Sequence, residues 1–564
     1  MRKKIILGIW MALIALSSDA QNILPMKWDI SFKSNSCFTS RKAKQHSSIN
    51  TLLSWERQGY FAGDGDCELS NTFDVANPKK RYQLSVRMTC RVNDIIINGH
   101  TIEKNINTKY GKDKNGNENY MIGPDCLQKG KNRIVLNCSS LGYTGGVSNT
   151  MIALRPVKDD DHSEQIKISL APDDHVFLNN DRRITLHYHT KRNSQMMINI
   201  ENDFHQSILD TVLTVNGRDS ILSLDLNKHC GTPGFYQITA VMHGKGYCGD
   251  VQWMAVKPEE VKCNNTVADG FDDYWNKAKA ELAAIAPEYK VYQVDSLCRK
   301  SKRDVYIVEM KSLNNLTIRS YYFVPRSAGK HHAVLQVPGY GWGFENIDGM
   351  LNDDTDRIEM ALCIRGHGMS ADVFNPGFGL PGIWGYKLYE KDSLSYRGIY
   401  MDYVRAVDFL CSRDEVDHNR IAVKGGSQGG GLTLATSALC SGRIAACAYF
   451  DPFPCDIRHQ IRIRTICETE LRNDLVYYGN PCSFEKMMDI QDLIDTHSFA
   501  PRIKCPVLFT AALFDDDCPV HVGFTAYNMI KSEKLYKVYP ADGHIQGFTH
   551  DDYIMGWIDH KLSK

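Results

Sequence analysis

A short glycine-rich turn, Gly-Gly-Ser-Gln-Gly at 425–429, constrains this chain more than any other feature. The turn follows an apolar run at 421–424 that is typical of a buried strand, and it precedes a helical stretch of small residues at 430–439. A Gly-x-Ser-x-Gly nucleophile elbow needs this strand–turn–helix context, because glycines permit the sharp turn and the close approach of helix and strand. The alternative is a glycine-rich turn with an ordinary serine, and the flanking elements favour the elbow, with Ser427 as nucleophile.

Strands and helices alternate from residue 258 to the end of the sequence. Apolar residues recur at helical spacing over 271–285, and a second helix is predicted over 399–411. The runs between the helices predict buried strands at 333–337, 421–424, 445–450, 507–512 and 535–539. This alternation predicts an α/β domain at 258–564 with a largely parallel sheet, whose ligands bind at the carboxyl ends of the strands.

The sequence before residue 258 is predicted to form two all-β sandwich domains. Alternating runs and the turn signal Asn98-Gly99 characterise 21–157, and the order of these motifs resembles galactose-binding-like jelly rolls. The segment 158–257 has strand patterns and a length that are typical of an immunoglobulin-like sandwich. We find no candidate chemistry in this second segment.

The first twenty residues have the pattern of a secretory signal. A basic start is followed by an apolar run at 5–16 that is too short to span a bilayer, and small residues precede Gln21. We therefore predict a signal peptide at 1–20 and an exported protein, periplasmic or extracellular. No later segment is long and apolar enough to predict a membrane span.

The composition excludes some partners and limits others. The chain has 564 residues with a formal net charge of zero, which gives no reason to expect binding to nucleic acid or to an anionic membrane. Its 18 cysteines include no Cys-x-x-Cys pair, so zinc ribbons and thioredoxin-like sites are not expected. We expect most cysteines to be small buried hydrophobic residues; export would permit disulfides, for instance Cys126 with Cys138.

A serine nucleophile needs a base, and the base needs an acid that orients it. His544 follows the strand at 535–539, and three adjacent acids, Asp515, Asp516 and Asp517, follow the strand at 507–512. The chain order serine, acid, histidine is that of enzymes with this elbow. Three carboxylates in a row could also form a cation site, but no further ligand pattern accompanies them, so no metal or other cofactor is expected. With His544 as base, activity should fall below about pH 6–7.

Two backbone amides are expected to stabilise the oxyanion of the transition state. One donor is the N–H of Gln428, the residue after the nucleophile. The other is assigned to Tyr340, in the glycine-rich loop after the strand at 333–337. A simple glycine turn is the alternative for this loop.

Several motifs beyond the elbow occur in the order that is found in one known family. Together they resemble the acetyl xylan esterase and cephalosporin C deacetylase family, carbohydrate esterase family seven, over about 258 to 560. The motifs are Phe-Asp-Asp-Tyr-Trp at 271–275, Gly-Tyr at 339–340, Arg-Gly-His-Gly at 365–368, Tyr-Val-Arg-Ala-Val at 403–407, Asp-Pro-Phe at 451–453 and Asp-x-x-Cys-Pro at 515–519.

The resemblance implies an α/β-hydrolase fold and a serine esterase that removes acetyl groups from xylo-oligosaccharides without a metal. It also implies a homo-oligomer, and it selects Asp515 as the acid because that residue matches the family's acid before Cys-Pro. The family has Arg-Gly-Gln where this chain has Arg-Gly-His at 365–367. It has Gly-Tyr-Asn-Gly where this chain has Gly-Tyr-Gly-Trp at 339–342. We expect Trp342, Arg365 and His367 to line or support the acyl pocket.

Three other functions are weighed against an acetyl esterase that acts on xylan or xylo-oligosaccharide. Another acyl hydrolase of the same fold is one, either a feruloyl esterase or a peptidase. A catalytically silent carbohydrate-binding protein is the second. A structural or adhesion protein is the third, and the elbow argues against it.

Overall fold

The computed structural model describes most of the chain. The described residues are 23–25, 27–32, 47–50, 65–86, 91–102, 118–140, 152–157, 164–190, 193–216, 220–243, 247–263, 267–341, 343–344, 347–353, 355–375, 380–544 and 548–563. The predicted signal peptide at 1–20 lies outside them, so export stays a prediction.

The described residues divide into two compact units. The first unit takes its residues from 1–173, 179–232 and 236–254, and the second from 174–178, 233–235 and 255–564. The all-β prediction for the region before 258 is confirmed, and so is the α/β prediction for the region after it. The jelly-roll and immunoglobulin-like assignments and the boundaries at 157/158 and 257/258 stay predictions.

The region up to residue 257 forms four sheets. Their orders are β2-β1-β3-β8-β5-β6, β7-β4-β9, β10-β12-β15 and β11-β17-β16-β13-β14. The strands are β1 (Lys27–Phe32), β2 (Ser47–Asn50), β3 (Gly65–Val75), β4 (Arg81–Val86), β5 (Arg91–Ile97), β6 (His100–Thr101), β7 (Glu118–Ile122), β8 (Gly130–Ser140), β9 (Ile152–Val157), β10 (Glu164–Leu170), β11 (Val176–Phe177), β12 (Arg183–Thr190), β13 (Ser194–Asn202), β14 (Ser207–Val215), β15 (Ser220–Asp225), β16 (Gly234–His243) and β17 (Tyr247–Val256).

Sequence patterns explain local features of these sheets. Asn98 and Gly99 both have positive φ and form the tight turn that pairs Ile97 with His100, as the turn signal predicts. Burial alternates along β4, so the Leu84 side chain lies in a core to which β3, β8 and β9 also contribute. No disulfide joins Cys126 to Cys138, the pair named as a possible disulfide, both of which the structure describes.

The second unit is built on a nine-stranded sheet of order β18-β19-β20-β22-β21-β23-β24-β25-β26. The pairs from β18 to β22 are antiparallel, and every later pair is parallel. The strands are β18 (Lys290–Gln293), β19 (Asp304–Lys311), β20 (Thr317–Val324), β21 (His331–Val337), β22 (Ile358–Cys363), β23 (Val416–Gly426), β24 (Ala446–Phe450), β25 (Val507–Ala512) and β26 (Lys534–Tyr539).

Helices connect these strands and pack against the sheet. They are α1 (Phe271–Ala283), α2 (Asp295–Cys298), α3 (Asp348–Asn352), α4 (Ser395–Cys411), α5 (Gln428–Leu439), α6 (Ile457–Ile463), α7 (Thr465–Tyr477), α8 (Phe484–Gln491), α9 (Val520–Met529) and α10 (Phe548–Leu562). None of the helices among the described residues has the length and apolar character needed to cross a membrane.

One strand differs from its prediction. The run at 535–539 is a strand, but the expectation that it is buried is wrong, because β26 is the last strand of the sheet. Only Val538 in it is buried, and Leu535 is 46% exposed. An apolar-looking strand is buried on both faces only when the sheet continues beyond it. Strands β23, β24 and β25, which do lie inside the sheet, are buried as predicted.

Helix α1 anchors the start of the second unit through Trp275. The indole is buried, donates a hydrogen bond from Nε1 to the Leu493 carbonyl oxygen at 2.9 Å, and packs against Tyr400 and Phe499. Replacing it with alanine removes this packing and leaves a buried carbonyl without its donor.

We expect Trp275→Ala to lower the free energy of unfolding of the second unit by about 3–5 kcal/mol. Scanning calorimetry, which separates the transitions of the two units, measures this. Tyr292→Ala is the matched control, since Tyr292 is 49% exposed and a change there should stay within about 0.5 kcal/mol. Equal effects of the two variants would contradict the anchoring role of Trp275.

Candidate active site

Ser427 lies at the turn between β23 and α5 and has a strained backbone, with φ 58° and ψ −129°. Such a conformation costs a non-glycine residue about 1–3 kcal/mol and persists only where the surroundings enforce it. Here the Ser427 N–H donates to the Phe450 carbonyl at 3.1 Å, and the Ser427 carbonyl accepts from Phe453 N–H at 2.9 Å. The last residue of β24 and the segment after it therefore hold the nucleophile's backbone from both sides, and the predicted elbow has the geometry that it requires.

Close packing explains the glycines on either side of Ser427. A Cβ on Gly429 would lie 2.5 Å from the Val337 carbonyl oxygen, and a Cβ on Gly426 would lie 1.8 Å from the Phe450 ring. Both distances are far below van der Waals contact. A side chain at 429 would push α5 away from β21, and one at 426 would displace the Phe450 ring on the neighbouring strand. Gly429 is therefore needed for the close approach of helix to strand.

The predicted base and acid are joined directly. His544 Nδ1 lies 2.9 Å from Asp515 Oδ2. The other carboxylate oxygen of Asp515 accepts the backbone N–H groups of Asp517 and Cys518, each at 2.8 Å. This selects Asp515 among the three adjacent acids, because Asp516 is exposed and Asp517 forms an ion pair with Arg464 at 2.6 Å.

Ser427 and His544 open onto one cavity of ≈ 320 Å³, which Gly339, Lys424 and Asp551 also line. No hydrogen bond joins Ser427 to His544 in the part of the chain that the structure describes. His544 Nε2 instead faces Asp517 Oδ2 at 3.6 Å. Catalytic hydrogen bonds are often long or misaligned without substrate and shorten only in the complex, so this arrangement corresponds to a resting state.

Three carboxylates act on the imidazole of His544. Although burial opposes protonation, the charges of Asp515, Asp517 and Asp451 together raise the pKa of His544 to about 10. The sequence pattern named Asp517 only as an alternative to Asp515 for the acid, and it gave Asp451 no role beyond its place in the Asp-Pro-Phe motif. Asp451 follows β24 just as Asp515 follows β25, and this position at the carboxyl end of a strand was the available signal.

A thiol also lies beside the nucleophile. Cys518 Sγ is 4.0 Å from Ser427 Oγ and is buried. Burial, together with the nearby carboxylates of Asp515 and Asp517, raises the pKa of this thiol well above its usual range. Since the thiolate is the reactive form of cysteine, Cys518 stays an inert neighbour and Ser427 remains the nucleophile.

The side chain of Gln428 connects the two predicted oxyanion donors. Its Nε2 donates to the Gly339 carbonyl at 3.3 Å, and its Oε1 accepts from Tyr396 Oη at 3.0 Å. Gly339 precedes Tyr340, so this side chain links the start of α5 to the loop that carries the second amide. The predicted donors thus belong to neighbouring, mutually fixed segments, and the N-terminal end of α5 adds its partial positive charge.

His367 contacts the Gln428 side chain that makes this link to Gly339. Its Nε2 lies 3.4 Å from Gln428 Nε2, and the ring is completely buried. Burial lowers the pKa of His367 to about 4, so the imidazole is neutral at ordinary pH. His367 therefore has the supporting role among those predicted for it, and it does not line the cavity that Ser427 opens onto.

Arg365 is also a supporting residue. It forms a buried double contact with Asp402, through Nη2 at 2.7 Å and Nε at 3.0 Å, and it donates to the Leu313 carbonyl at 3.1 Å. This ion pair fixes the turn after β22 and leaves little donor capacity for a substrate. Trp342, the third residue predicted at the pocket, lies outside the described residues.

An elbow serine and a histidine–aspartate pair at the carboxyl ends of a mostly parallel sheet define a serine hydrolase of the α/β-hydrolase class. Residues 256–561 match the acetyl xylan esterase (AXE1) family. The chain therefore belongs to the acetyl xylan esterase family and is a serine-type carboxylic ester hydrolase, as the sequence motifs predicted.

The chain is also similar to individual proteins. The chain is 27% identical over 346 residues to acetyl esterase Axe7A of Xylanibacter ruminicola, covering 55% of this chain and 71% of that protein. The acetyl xylan esterase of Paenibacillus sp. R4 superposes with a TM-score of 0.50 at 28% identity, over 54% of this chain and 98% of the other. Acetyl xylan esterase 1 from Thermoanaerobacterium sp. JW/SL YS485 superposes with a TM-score of 0.49 at 28% identity, over 54% of this chain and 98% of the other.

The raised pKa of His544 predicts an alkaline activity profile. The base must be neutral to accept the serine proton, so kcat/KM should fall as pH drops through the raised pKa, which lies above the pH 6–7 expected for an isolated histidine. Asp517→Asn removes one of the carboxylates, and the acidic limb of the pH profile, where kcat/KM falls, should move down by about one pH unit. This is a small shift for the loss of a charge near a titrating group, because Asp517 is half-exposed and also paired with Arg464.

The pH dependence of kcat/KM for an aryl acetate measures this shift. Asp516→Asn is the matched control, since it removes the same charge from an exposed neighbour and should leave the limb in place. An unshifted limb in Asp517→Asn would mean that this carboxylate does not act on the base.

Gly429→Ala should lower kcat by about tenfold or more, because the new Cβ displaces the start of α5 and with it the oxyanion donor. Steady-state kinetics on the folded variant measures the loss. Gly556→Ala is the control, since a Cβ there meets no atom within 4 Å, and helix α10 should gain slightly in stability. Unchanged kcat in Gly429→Ala would show that the elbow tolerates a wider helix–strand spacing.

Proposed function

We propose that this protein removes acetyl groups from acetylated carbohydrate of the xylan or xylo-oligosaccharide type through an acyl-serine intermediate. The observation that carries the proposal is a shared cavity: Ser427 and His544 both open onto it, and Asp515 holds His544 at 2.9 Å. Membership of the acetyl xylan esterase family supports the choice of acyl group and of a carbohydrate alcohol.

In the proposed reaction, His544 takes the proton of Ser427 as the serine oxygen attacks the acetyl carbonyl carbon. Asp515 fixes the imidazole tautomer and stabilises the imidazolium that forms. The N–H groups of Gln428 and Tyr340 hold the oxyanion, and His544 then returns its proton to the departing sugar hydroxyl. Water, activated by the same imidazole, attacks the acyl-serine and releases acetate.

The resting geometry requires one movement before this reaction. His544 must turn its Nε2 from Asp517, 3.6 Å away, toward Ser427. Displacement of water by the substrate strengthens the electrostatic interactions within the cavity and favours the serine–histidine hydrogen bond. Asp517 would then stabilise the imidazolium from the side as charge develops.

The size of the cavity favours a small acyl group. Its volume of ≈ 320 Å³ lies at the lower end of ligand pockets, which span about 300–1,000 Å³. An acetyl group and part of one sugar ring fit such a volume better than a feruloyl group or an extended peptide. The balanced charge of the chain also suits a neutral ester.

Another acyl hydrolase of the same fold remains the alternative within the enzyme class, as a feruloyl esterase or a peptidase. A silent carbohydrate-binding protein is the alternative outside it. A panel of acetyl, feruloyl and peptide substrates separates the first alternative from the proposal. Sugar binding without turnover, unchanged by Ser427→Ala, would support the second.

The direct test is acetate release from acetylated xylan and from a small aryl acetate. We expect turnover of both by the parent chain and a loss of about 10⁴-fold or more in Ser427→Ala, because the acyl-serine cannot form. Ser393→Ala is the matched control, since Ser393 is exposed, and it should retain full activity. Mass spectrometry after rapid quenching should show the parent's acetyl adduct on the peptide that contains Ser427.

Equal turnover by the parent and Ser427→Ala would contradict the triad. Turnover of the aryl acetate without release from xylan would keep the mechanism and overturn the carbohydrate substrate. Release of ferulate or amino acids in place of acetate would point to the alternative acyl hydrolases.

A further inference from the structure

A second cluster of ionisable side chains lies in the second unit, and the ester hydrolysis proposed above makes no use of it. It consists of Asp456, His459 and His521, all buried with at most 5% exposure. One ligand atom from each residue lies within 4.8 Å of the others. Two imidazoles and a carboxylate are expensive to bury unless they bind one another or a cation. The cluster therefore requires a structural or a chemical explanation.

The possible ligand atoms of the three side chains lie close to one another. His459 Nδ1 lies 2.8 Å from Asp456 Oδ2, and the rings of His459 and His521 are 5.0 Å apart at 81°. Ligand atoms around a tetrahedral zinc ion lie about 3.3 Å apart, since the bonds are ~2.0–2.1 Å long. Displacing the proton between His459 and Asp456 and widening that pair by a few tenths of an ångström gives this spacing.

One carboxylate oxygen of the cluster lacks a hydrogen-bond donor among the described residues. Oδ1 of Asp456 is buried and accepts no hydrogen bond from any described residue. Buried carboxylate oxygens are normally paired, and an unpaired one lowers stability. A cation at the centre of the cluster would satisfy this oxygen and bind one nitrogen of each imidazole at once.

Neighbouring residues hold Asp456 in place for this role. Asp495 accepts the backbone N–H groups of Asp456 at 2.7 Å and Ile457 at 2.6 Å, and it contacts His497 Nδ1 at 2.8 Å. Metal ligands are commonly oriented by such hydrogen-bonded carboxylates around them. The turn into α6 brings His459 to the same side, where His459 N–H donates to the Asp456 carbonyl at 3.0 Å.

From these observations we infer that Asp456, His459 and His521 form a structural binding site for one divalent transition-metal ion, Zn²⁺, with water as the fourth ligand. Two imidazoles, one carboxylate and a water form a ligand set that zinc binds in proteins, and the burial of all three residues closes the site to a substrate, which suits a structural role. The site is separate from the triad, so the expectation that ester hydrolysis needs no metal is unaffected.

The position of this site suggests what the ion does. Asp456 ends the segment after β24 that holds the Ser427 backbone through Phe453. His521 is the second residue of α9, which follows the loop that carries Asp515. An ion bound to both segments ties the support of the nucleophile to the support of the triad acid. We expect it to raise the stability of the second unit.

Metal analysis of the full chain, purified without a polyhistidine tag, tests the inference. The protein is stripped with a chelator, reloaded with Zn²⁺ and passed through a desalting column. We expect about one zinc per chain and a rise in Tm of about 5 °C with excess Zn²⁺. His459→Gln and His521→Gln should each lose the retained zinc and weaken binding by at least ~100-fold.

His544→Gln is the matched control, because His544 lies with Asp515 and Asp451 in another group that could hold a cation. This variant should retain zinc like the parent. Zinc lost in His544→Gln but kept in the other two variants would place the ion at the triad and overturn the inference. A parent chain that retains no zinc and shows no rise in Tm would also overturn it, whether or not the variants fold. Neither readout depends on esterase activity.

Discussion

The backbone of Ser427 is the constraint on which the rest of the site depends. Its positive φ is enforced by backbone hydrogen bonds to the end of β24 and to the segment after it, and Gly429 lets α5 approach the sheet closely. The same close approach brings the side chain of Gln428 within reach of the Gly339 carbonyl. Nucleophile, helix terminus and oxyanion loop are thus fixed by one local packing arrangement.

The electrostatics of the base follow from the topology of the sheet. Parallel strands bring their carboxyl ends to one edge, and here the turns after β24 and β25 both place carboxylates around His544. Their field makes the imidazole a stronger base and stabilises the imidazolium of the transition state. It also keeps the resting imidazole protonated over a wider pH range. Arg464 limits this effect because it shares Asp517.

Local patterns were sufficient to predict the fold of the second unit and to place Ser427, Asp515 and His544 at one edge of its sheet. Ser427, Asp515 and His544 each follow an apolar run, and strand–helix alternation specifies where the ends of such runs meet. Contacts between distant segments left no such signal. The approach of Asp517 to His544, the link from Gln428 to Gly339 and the cluster around Asp456 all depend on side-chain directions after packing. The exposure of β26 was mispredicted for a related reason, because an apolar run does not specify its place in the sheet order.

The catalytic base follows an edge strand of the sheet. His544 follows β26, which pairs only with β25 and buries only Val538. Opening this strand breaks one ladder and exposes little apolar surface, whereas opening β23 or β24 would expose the core. Loss of catalytic competence and loss of the fold are therefore separable events in this molecule. The elbow, by contrast, is built on strands inside the sheet, so local opening at this edge would reach the base before it reached the nucleophile.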